Sequence, residues 1–284
     1  MNDVGLQVEH DSTRGIATLT LARPDRHNAF DDALVAAFDA ALERLAADDG
    51  LRVLVLAASG RHFSAGADLG WMRRTAQYPP ERNRADAVAM ARMFARLEAF
   101  PAPTVAIVQG AAYGGGVGLV AACDIALASD DARFALSEVR LGLVPAVISP
   151  YLVAAVGQRA CRRLFLTGEV FDAARALQLG LVHEVTTSAS LGTARDRVVA
   201  GLLAGGPRAT REAKALLRRL AGGEPGRGAA SGQESPQGER LQAHTAALIA
   251  ELRASAEGRE GLAAFLEKRR PAWHPEATAA GGGA

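Results

Sequence analysis

The sequence contains almost no lysine. Lys214 and Lys268 are the only two among 32 basic residues, the rest being arginine. Neither is followed by Ser or Thr, which excludes a P-loop, and no glycine set has the G-x-G-x-x-G spacing of dinucleotide-binding turns. Schiff-base chemistry is left with two residues in charged helical patterns, where a solvated side chain is the ordinary outcome. Cysteine is scarce too: Cys123 and Cys161 cannot build a disulfide framework in a 284-residue chain, and both sit in apolar stretches that fit a reducing compartment. The six histidines are scattered, with no H-x-x-x-H or Cys/His cluster, so no metal site is expected. Charge of one sign is missing as well, since 32 basic against 31 acidic residues leave a net charge of +1 and no global field for nucleic acid or an anionic membrane. The longest uncharged run, Val105 to Cys123, contains Gln109 and five glycines and meets Asp124 at once, so no membrane span is expected. The first eleven residues carry three carboxylates and no Lys or Arg, the reverse of a targeting segment. A cytoplasmic location is the expectation.

What the chain does have is apolar sequence, 49% of its residues, enough to bury a core in the one or two domains that about 150 residues per domain suggest. Leu6 to His10 and Ile16 to Leu21 read as strands of a hairpin. Leu34, Phe38, Leu42 and Leu45 recur at helical spacing behind Asp31 and Asp32, carboxylates that suit a helix N-terminus. Val53 to Leu56, Thr104 to Val108 and Ile125 to Ala128 are buried-strand runs, and Pro80 to Phe100 between them reads as a long helix stopped by Pro101 and Pro103. Gly110 to Gly116 reads as a turn opening a helix at about Val117. Strands alternating with helices require parallel pairing through crossovers, so the fold class is α/β. From Ser149 onward helical patterns dominate, broken by the short apolar piece Leu181 to Val185 and by Gly222 to Gly238, which lacks apolar periodicity.

Two loops at strand ends are rich in small residues: Phe63-Ser64-Ala65-Gly66-Ala67-Asp68-Leu69 and Gly110-Ala111-Ala112-Tyr113-Gly114-Gly115-Gly116. Parallel sheets bind ligands at the carboxyl ends of their strands, where Gly and Ala let backbone N–H groups approach closely and a helix N-terminus adds its dipole. One donor from each loop makes an oxyanion hole; a packing turn is the structural alternative. His62-Phe63-Ser64-Ala65-Gly66 approaches a nucleophile elbow but has His for the first glycine, which argues against a Ser/His hydrolase.

These residues, with CDIALAS at 123–129, FALSEVRLGLVP at 134–145 and LTGEVFDAARALQLGLVHEV at 166–185, resemble the enoyl-CoA hydratase/isomerase (crotonase) family from about residue 5 to about 272. The resemblance implies a crotonase-like spiral of ββα units over residues 1–200, holding an acyl-CoA site. It implies a helical C-terminal trimerisation region over 201–272, from which 222–238, by its composition a flexible insertion, departs; 273–284 reads as a disordered tail. A homotrimer or hexamer is implied as partner, CoA enters only as part of the substrate, and no separate cofactor is needed.

Carried over position by position, the resemblance makes the Ala67 and Gly115 N–H groups the donors to the thioester oxygen. Ala65, Asp68, Leu69 and Gly114 continue the CoA-binding loops, and Arg26, His27 and Ala29 resemble the segment that meets CoA phosphates and adenine. Hydratases of the family usually carry two glutamates. Here the first position holds Gly118, counted among the substrate-binding residues, and the second is present as Glu138, the expected acid/base. Arg140, read as lying on one strand face with Glu138, is a candidate partner for a distal substrate carboxylate; an ordinary salt bridge is its alternative. Trp71 and Tyr113 flank the two loops as candidate acyl-pocket residues or as core.

The surrounding sequence, GGGVGLVAACDIALA and LSEVRLGLVPAVISPYLV, looks closest to bacterial methylglutaconyl-CoA and isohexenylglutaconyl-CoA hydratases, enzymes of leucine and acyclic terpenoid breakdown. One carboxylate fits a double-bond isomerase equally well. A homologue that binds acyl-CoA without turning it over is the third reading.

Overall fold

The structure, a computed structural model, describes residues 4–222 and 236–275. The chain divides into two compact units, Met1–Val199 and Ala200–Ala284. In the first, β1 (Leu6–Asp11) and β2 (Ile16–Leu21) pair antiparallel with Leu6 opposite Leu21. Helix α1 (Asp32–Ala46) starts at Asp31, whose side chain accepts the Leu34 N–H at 2.9 Å and so satisfies one of the orphan donors of the first turn. Its Leu34, Phe38, Leu42 and Leu45 are all buried.

The chain then winds through β3 (Val53–Ala58), α2 (Leu69–Thr75), α3 (Pro80–Glu98), β4 (Thr104–Val108), β5 (Ala111–Tyr113) and α4 (Gly115–Ala122). It continues through β6 (Ile125–Ser129), β7 (Arg133–Ala135), α5 (Ser149–Thr167), β8 (Val170–Asp172), α6 (Ala173–Leu179) and β9 (Glu184–Thr186). One sheet has the order β1-β2-β3-β4-β6-β9, parallel at every junction after the first hairpin. Every residue of β4 is buried, as are the first four of β3 and the last four of β6, which is why these strands read as unbroken apolar runs. A second, small sheet has the order β5-β7-β8. Two successive turns, β4-β5-α4 and β6-β7-α5, each give one strand to the large sheet, a short one to the small sheet, and then a helix.

The small sheet corrects two expectations. The stretch 110–116 is not all turn: it contains β5, and α4 begins at Gly115 rather than Val117. Glu138 and Arg140 lie in a 3-10 turn, Glu138–Leu141, not on a strand. With about three residues per turn, side chains two apart in such a turn diverge, so the two do not share a face.

Helix α7 (Leu191–Ala204) carries the chain into the second unit, which contains α8 (Pro207–Gly222), α9 (Pro236–Ala254) and α10 (Ala256–Leu266). Glu257 accepts the Arg208 and Ala209 N–H groups at 2.9 and 2.8 Å, tying the start of α10 to the start of α8. The insertion expected at 222–238 is narrower than its composition suggests, since Gly222 ends α8 and Pro236 opens α9; residues 223–235 lie outside the described residues. The tail expected from 273 is ordered at its start. Trp273 donates its indole N–H to the Ala204 carbonyl at 3.2 Å, and the remaining tail, 276–284, lies outside the described residues. Among the described residues no helix is long and apolar enough to cross a membrane.

Candidate active site

Three short pieces of chain lie side by side in the small sheet. Ser64, in the loop after β3, bridges Ala112 of β5, and Ala112 pairs with Phe134 of β7. Ser64 N–H donates to the Ala111 carbonyl at 2.9 Å and Tyr113 N–H to the Ser64 carbonyl at 2.8 Å. Ala67 follows this row by three residues, Gly115 by three and Glu138 by four. The sheet register thus collects at one edge the three groups that sequence assigned to the chemistry from well-separated segments.

All three line a cavity of about 480 Å³. The N–H groups of Ala67 and Gly115 have no acceptor among the described residues. For Ala67 this follows from its bridge with Phe30, in which Phe30 N–H donates to the Gly66 carbonyl and Asp68 N–H to the Phe30 carbonyl, leaving the intervening N–H unused. Gly115 is the first residue of α4, where an N–H has no partner within the helix. Two unpaired donors beside one cavity can hold an oxyanion, and the positive end of α4 favours it further.

Gly114 and Gly66 make this approach possible. Gly114 has φ of +49° and ψ of −116°, a conformation closed to side-chain-bearing residues, and a Cβ there would lie 3.1 Å from Glu138 Oε1. Gly66 has φ of +89°, and its Cβ would lie 3.1 Å from the Tyr113 carbonyl oxygen. The carboxylate of Glu138 therefore sits against the backbone that leads into Gly115.

Glu138 is half-buried, and its Oε2 is enclosed with no hydrogen-bond partner. Burial pushes its carboxyl above its ordinary value, because the charged form loses more by desolvation than its own backbone N–H returns. A carboxyl raised in this way is better suited to giving back a proton it has taken.

The rest of the wall is mainly apolar, with Thr75, Ser137 and Tyr113 as its polar side chains. Trp71 and Met72 from α2, Met90, Met93 and Phe94 from α3, and Val147 and Ile148 before α5 all face it, so three of the four methionines of the chain line this one cavity. Trp71 is only 8% exposed and donates its indole N–H to Asp86 at 2.9 Å, which fastens α2 to α3. Tyr113 and Leu69 complete the lining near the loops. No Lys or Arg is among the described residues lining the cavity.

The other expected residues fall in different places. Ala65 and Gly114 line the cavity. Asp68 does not; it caps α2 by accepting the Trp71 N–H at 3.0 Å, with Arg26 Nη1 3.8 Å from its carboxylate. Arg26, His27 and Ala29 lie outside the lining, Arg26 exposed and Ala29 buried. His27 has φ of +50°, and its carbonyl accepts the Ala65 N–H at 2.9 Å, so this segment braces the loop from behind. Arg140 is exposed, its Nε lies beside Gly168, and it is not among the residues that line the cavity. Gly118 is buried inside α4, with Ile148 and Phe94 packed over it, and does not line the cavity.

Ser64 is fully buried and donates its hydroxyl to the Asn28 carbonyl at 2.9 Å, so it is not placed as a nucleophile. Asn28 itself was not singled out by the sequence. It is buried at φ of +54°, its side-chain amide donates to the Ser59 and His62 carbonyls at 2.9 and 2.8 Å, and its Oδ1 accepts the Arg23 N–H at 2.8 Å. Its only sequence signal is residue type, since Asn tolerates the left-handed region better than other side chains.

Residues 11–276 match the family model described as enoyl-CoA hydratase/isomerase. The 2,3-dehydroadipyl-CoA hydratase of Escherichia coli is 33% identical over 262 residues, covering 90% of this chain and 94% of that protein. Among solved structures, an enoyl-CoA hydratase from Shewanella pealeana is 42% identical with a TM-score of 0.86, covering 96% of this chain and 97% of that one. Pseudomonas aeruginosa AtuE is 35% identical with a TM-score of 0.87, covering 95% and 99%.

Proposed function

The chain belongs to the enoyl-CoA hydratase/isomerase family and has the crotonase fold, and on that premise we propose that it adds water across the double bond of an enoyl-CoA whose acyl group is uncharged and apolar. The observation that carries this is one carboxylate with an enclosed, unpartnered oxygen, Glu138 Oε2, in a cavity whose wall is mainly apolar, without Lys or Arg among the described residues, and which two free backbone donors border.

In this reading the thioester oxygen lies between the Ala67 and Gly115 N–H groups. Glu138 takes a proton from water as the water oxygen bonds to the β-carbon, and the double-bond electrons move onto the thioester oxygen as an enolate. The donors hold that charge as it forms, an interaction whose removal typically costs about 10²–10³ in rate. Glu138 then returns its proton to the α-carbon, restoring the thioester. Water is added in full and the carboxylate is regenerated.

A methylglutaconyl-CoA substrate carries a free distal carboxylate, and among the described residues lining the cavity no Lys or Arg receives it. Burying an unpaired charge is costly, so the geometry favours an uncharged tail over the dicarboxylic one that the sequence resemblance suggests. A second reading, double-bond isomerisation, is supported by the same lone carboxylate, because a 1,3-proton shift needs one shuttling base and no activated water.

The test follows the absorbance of the conjugated enoyl thioester with straight-chain trans-2-enoyl-CoA, methylglutaconyl-CoA and a β,γ-enoyl-CoA. Decay with the straight-chain substrate, lost in Glu138→Gln, supports the proposal. Decay with methylglutaconyl-CoA alone overturns the apolar assignment, and a rise with the β,γ-enoyl-CoA without any decay replaces hydration by isomerisation.

A further inference from the structure

His62 lies beside the oxyanion loop and takes no part in the proton transfers. His62 Nδ1 accepts the N–H of Ala111, the first residue of β5, at 3.1 Å. That bond anchors the strand whose far end turns through Gly114 into the Gly115 donor. His62 is also bound at its backbone, where its carbonyl accepts from the buried Asn28 amide, the residue that bonds Ser64 in the other donor loop.

We propose that His62 is a positioning residue for the oxyanion hole: its neutral imidazole holds β5 through the Ala111 N–H, and its protonation releases the strand and lowers turnover. The proposal rests on the reading of Ala67 and Gly115 as donors. Its logic is that of a single lone pair. Nδ1 can accept only when it carries no proton, and the imidazolium has donors at both nitrogens. Protonation sets one donor against another and leaves a partly buried backbone N–H without an acceptor.

The surroundings favour the neutral form. Burial is the largest influence, and the His27 ring, edge-on at 5.1 Å, and the Arg61 guanidinium oppose a further positive charge; Asp131 acts the other way. Asp131 is itself held by the Ser129 and Ser188 hydroxyls. The His62 imidazole is thereby held below its ordinary range. The loop is competent at neutral pH and is released as the medium becomes acidic.

The test uses the full chain and a trans-2-enoyl-CoA. Asn at 62 places a carbonyl oxygen where Nδ1 stands, an acceptor that does not titrate, whereas Ala removes the acceptor. Expected for His62→Ala is a kcat loss on the order of 10²-fold with KM little changed, the scale of a small misplacement of a reacting group. Expected for His62→Asn is recovery of most of that loss, with the acid limb of kcat reduced from a two-proton to a one-proton slope, leaving Glu138 alone. Amide exchange at Ala111 is read in parallel: protected in wild type and His62→Asn, faster in His62→Ala. An unchanged kcat in His62→Ala, or identical acid limbs in wild type and His62→Asn, overturns the proposal. If the wild type turns over no enoyl-CoA while Ala111 exchange follows the expected order, the hydratase reading fails and the anchoring role of His62 is reduced to a structural one. Unaltered Ala111 exchange in His62→Ala removes the anchor itself.

Discussion

Ile148 occupies the space that a side chain on residue 118 would need. A Cβ on Gly118 would lie 2.3 Å from Ile148 Cγ2, 2.9 Å from Ile148 Cβ and 3.0 Å from Phe94 Cε1. The first of the two family glutamates is therefore not merely absent. Its volume belongs to an apolar contact between α4, α3 and the segment before α5.

Restoring a glutamate there does not restore a second base. Gly118→Glu is expected to lower stability by more than the ~1–3 kcal/mol typical of core overpacking, since a carboxylate is forced in with the extra volume. Urea unfolding measures this. Combining it with Ile148→Ala removes the nearest clash and is expected to recover part of the loss; equal stability of Gly118→Glu and wild type contradicts the packing described.

Gly114→Ala tests the link between loop and base. The substitution puts a Cβ 3.1 Å from Glu138 Oε1 at a backbone angle that L residues avoid. It is expected to cost about 1–3 kcal/mol in stability. A fall in kcat on the order of 10²-fold should accompany it, because both the base and the donor move. Gly115→Ala is a useful contrast, since its Cβ would meet only the Phe30 ring at 3.4 Å and the fold should hold.

Glu138→Gln should abolish turnover yet raise stability at neutral pH. Burial raises the Glu138 carboxyl, so the folded state holds its proton to higher pH than the unfolded chain does. Stability from this group is full below the ordinary value near 4.5 and is lost as pH rises through the folded value. Gln is uncharged throughout. Thermal unfolding of the variant should exceed wild type at pH 7, and the gap should close as the pH falls below 4.5.

Substrate length should read out the cavity. Each methylene buried against Trp71 and the three methionines is worth ~0.8 kcal/mol, so KM is expected to fall up to about fourfold per carbon until the cavity is full. A dicarboxylic acyl chain of the same length should be the poorer substrate by kcat/KM. Introducing a cation, as in Met72→Arg, should narrow or reverse that order.

Much of this arrangement was legible in the sequence because its signals are long or chemically restrictive. Val53–Leu56 and Thr104–Val108 announce buried strands, Asp31 with its spaced leucines announces α1, and the small residues at 65–67 and 114–116 announce a close backbone approach. What escaped is short. Ala111–Tyr113, Arg133–Ala135 and Val170–Asp172 have three residues each, too few for alternation to show, and they build the sheet that aligns the site. Arg140 was misplaced because a 3-10 turn and a strand differ in side-chain direction while their sequences look alike over four residues. Gly118 was read from its place in a motif, and nothing local shows that Ile148, thirty residues away, fills its space.

The central claim is that one carboxylate, Glu138, makes both proton transfers, from water and to the α-carbon, at an enolate held by Ala67 and Gly115. Hydration of a trans-2-enoyl-CoA in deuterium oxide, with the configuration of the product determined by NMR, tests it most directly. A single base reaches a single face, so the account predicts one deuterium at the α-carbon, syn to the added hydroxyl. Anti addition, or a mixture of the two α-epimers formed in the first turnover, would contradict it.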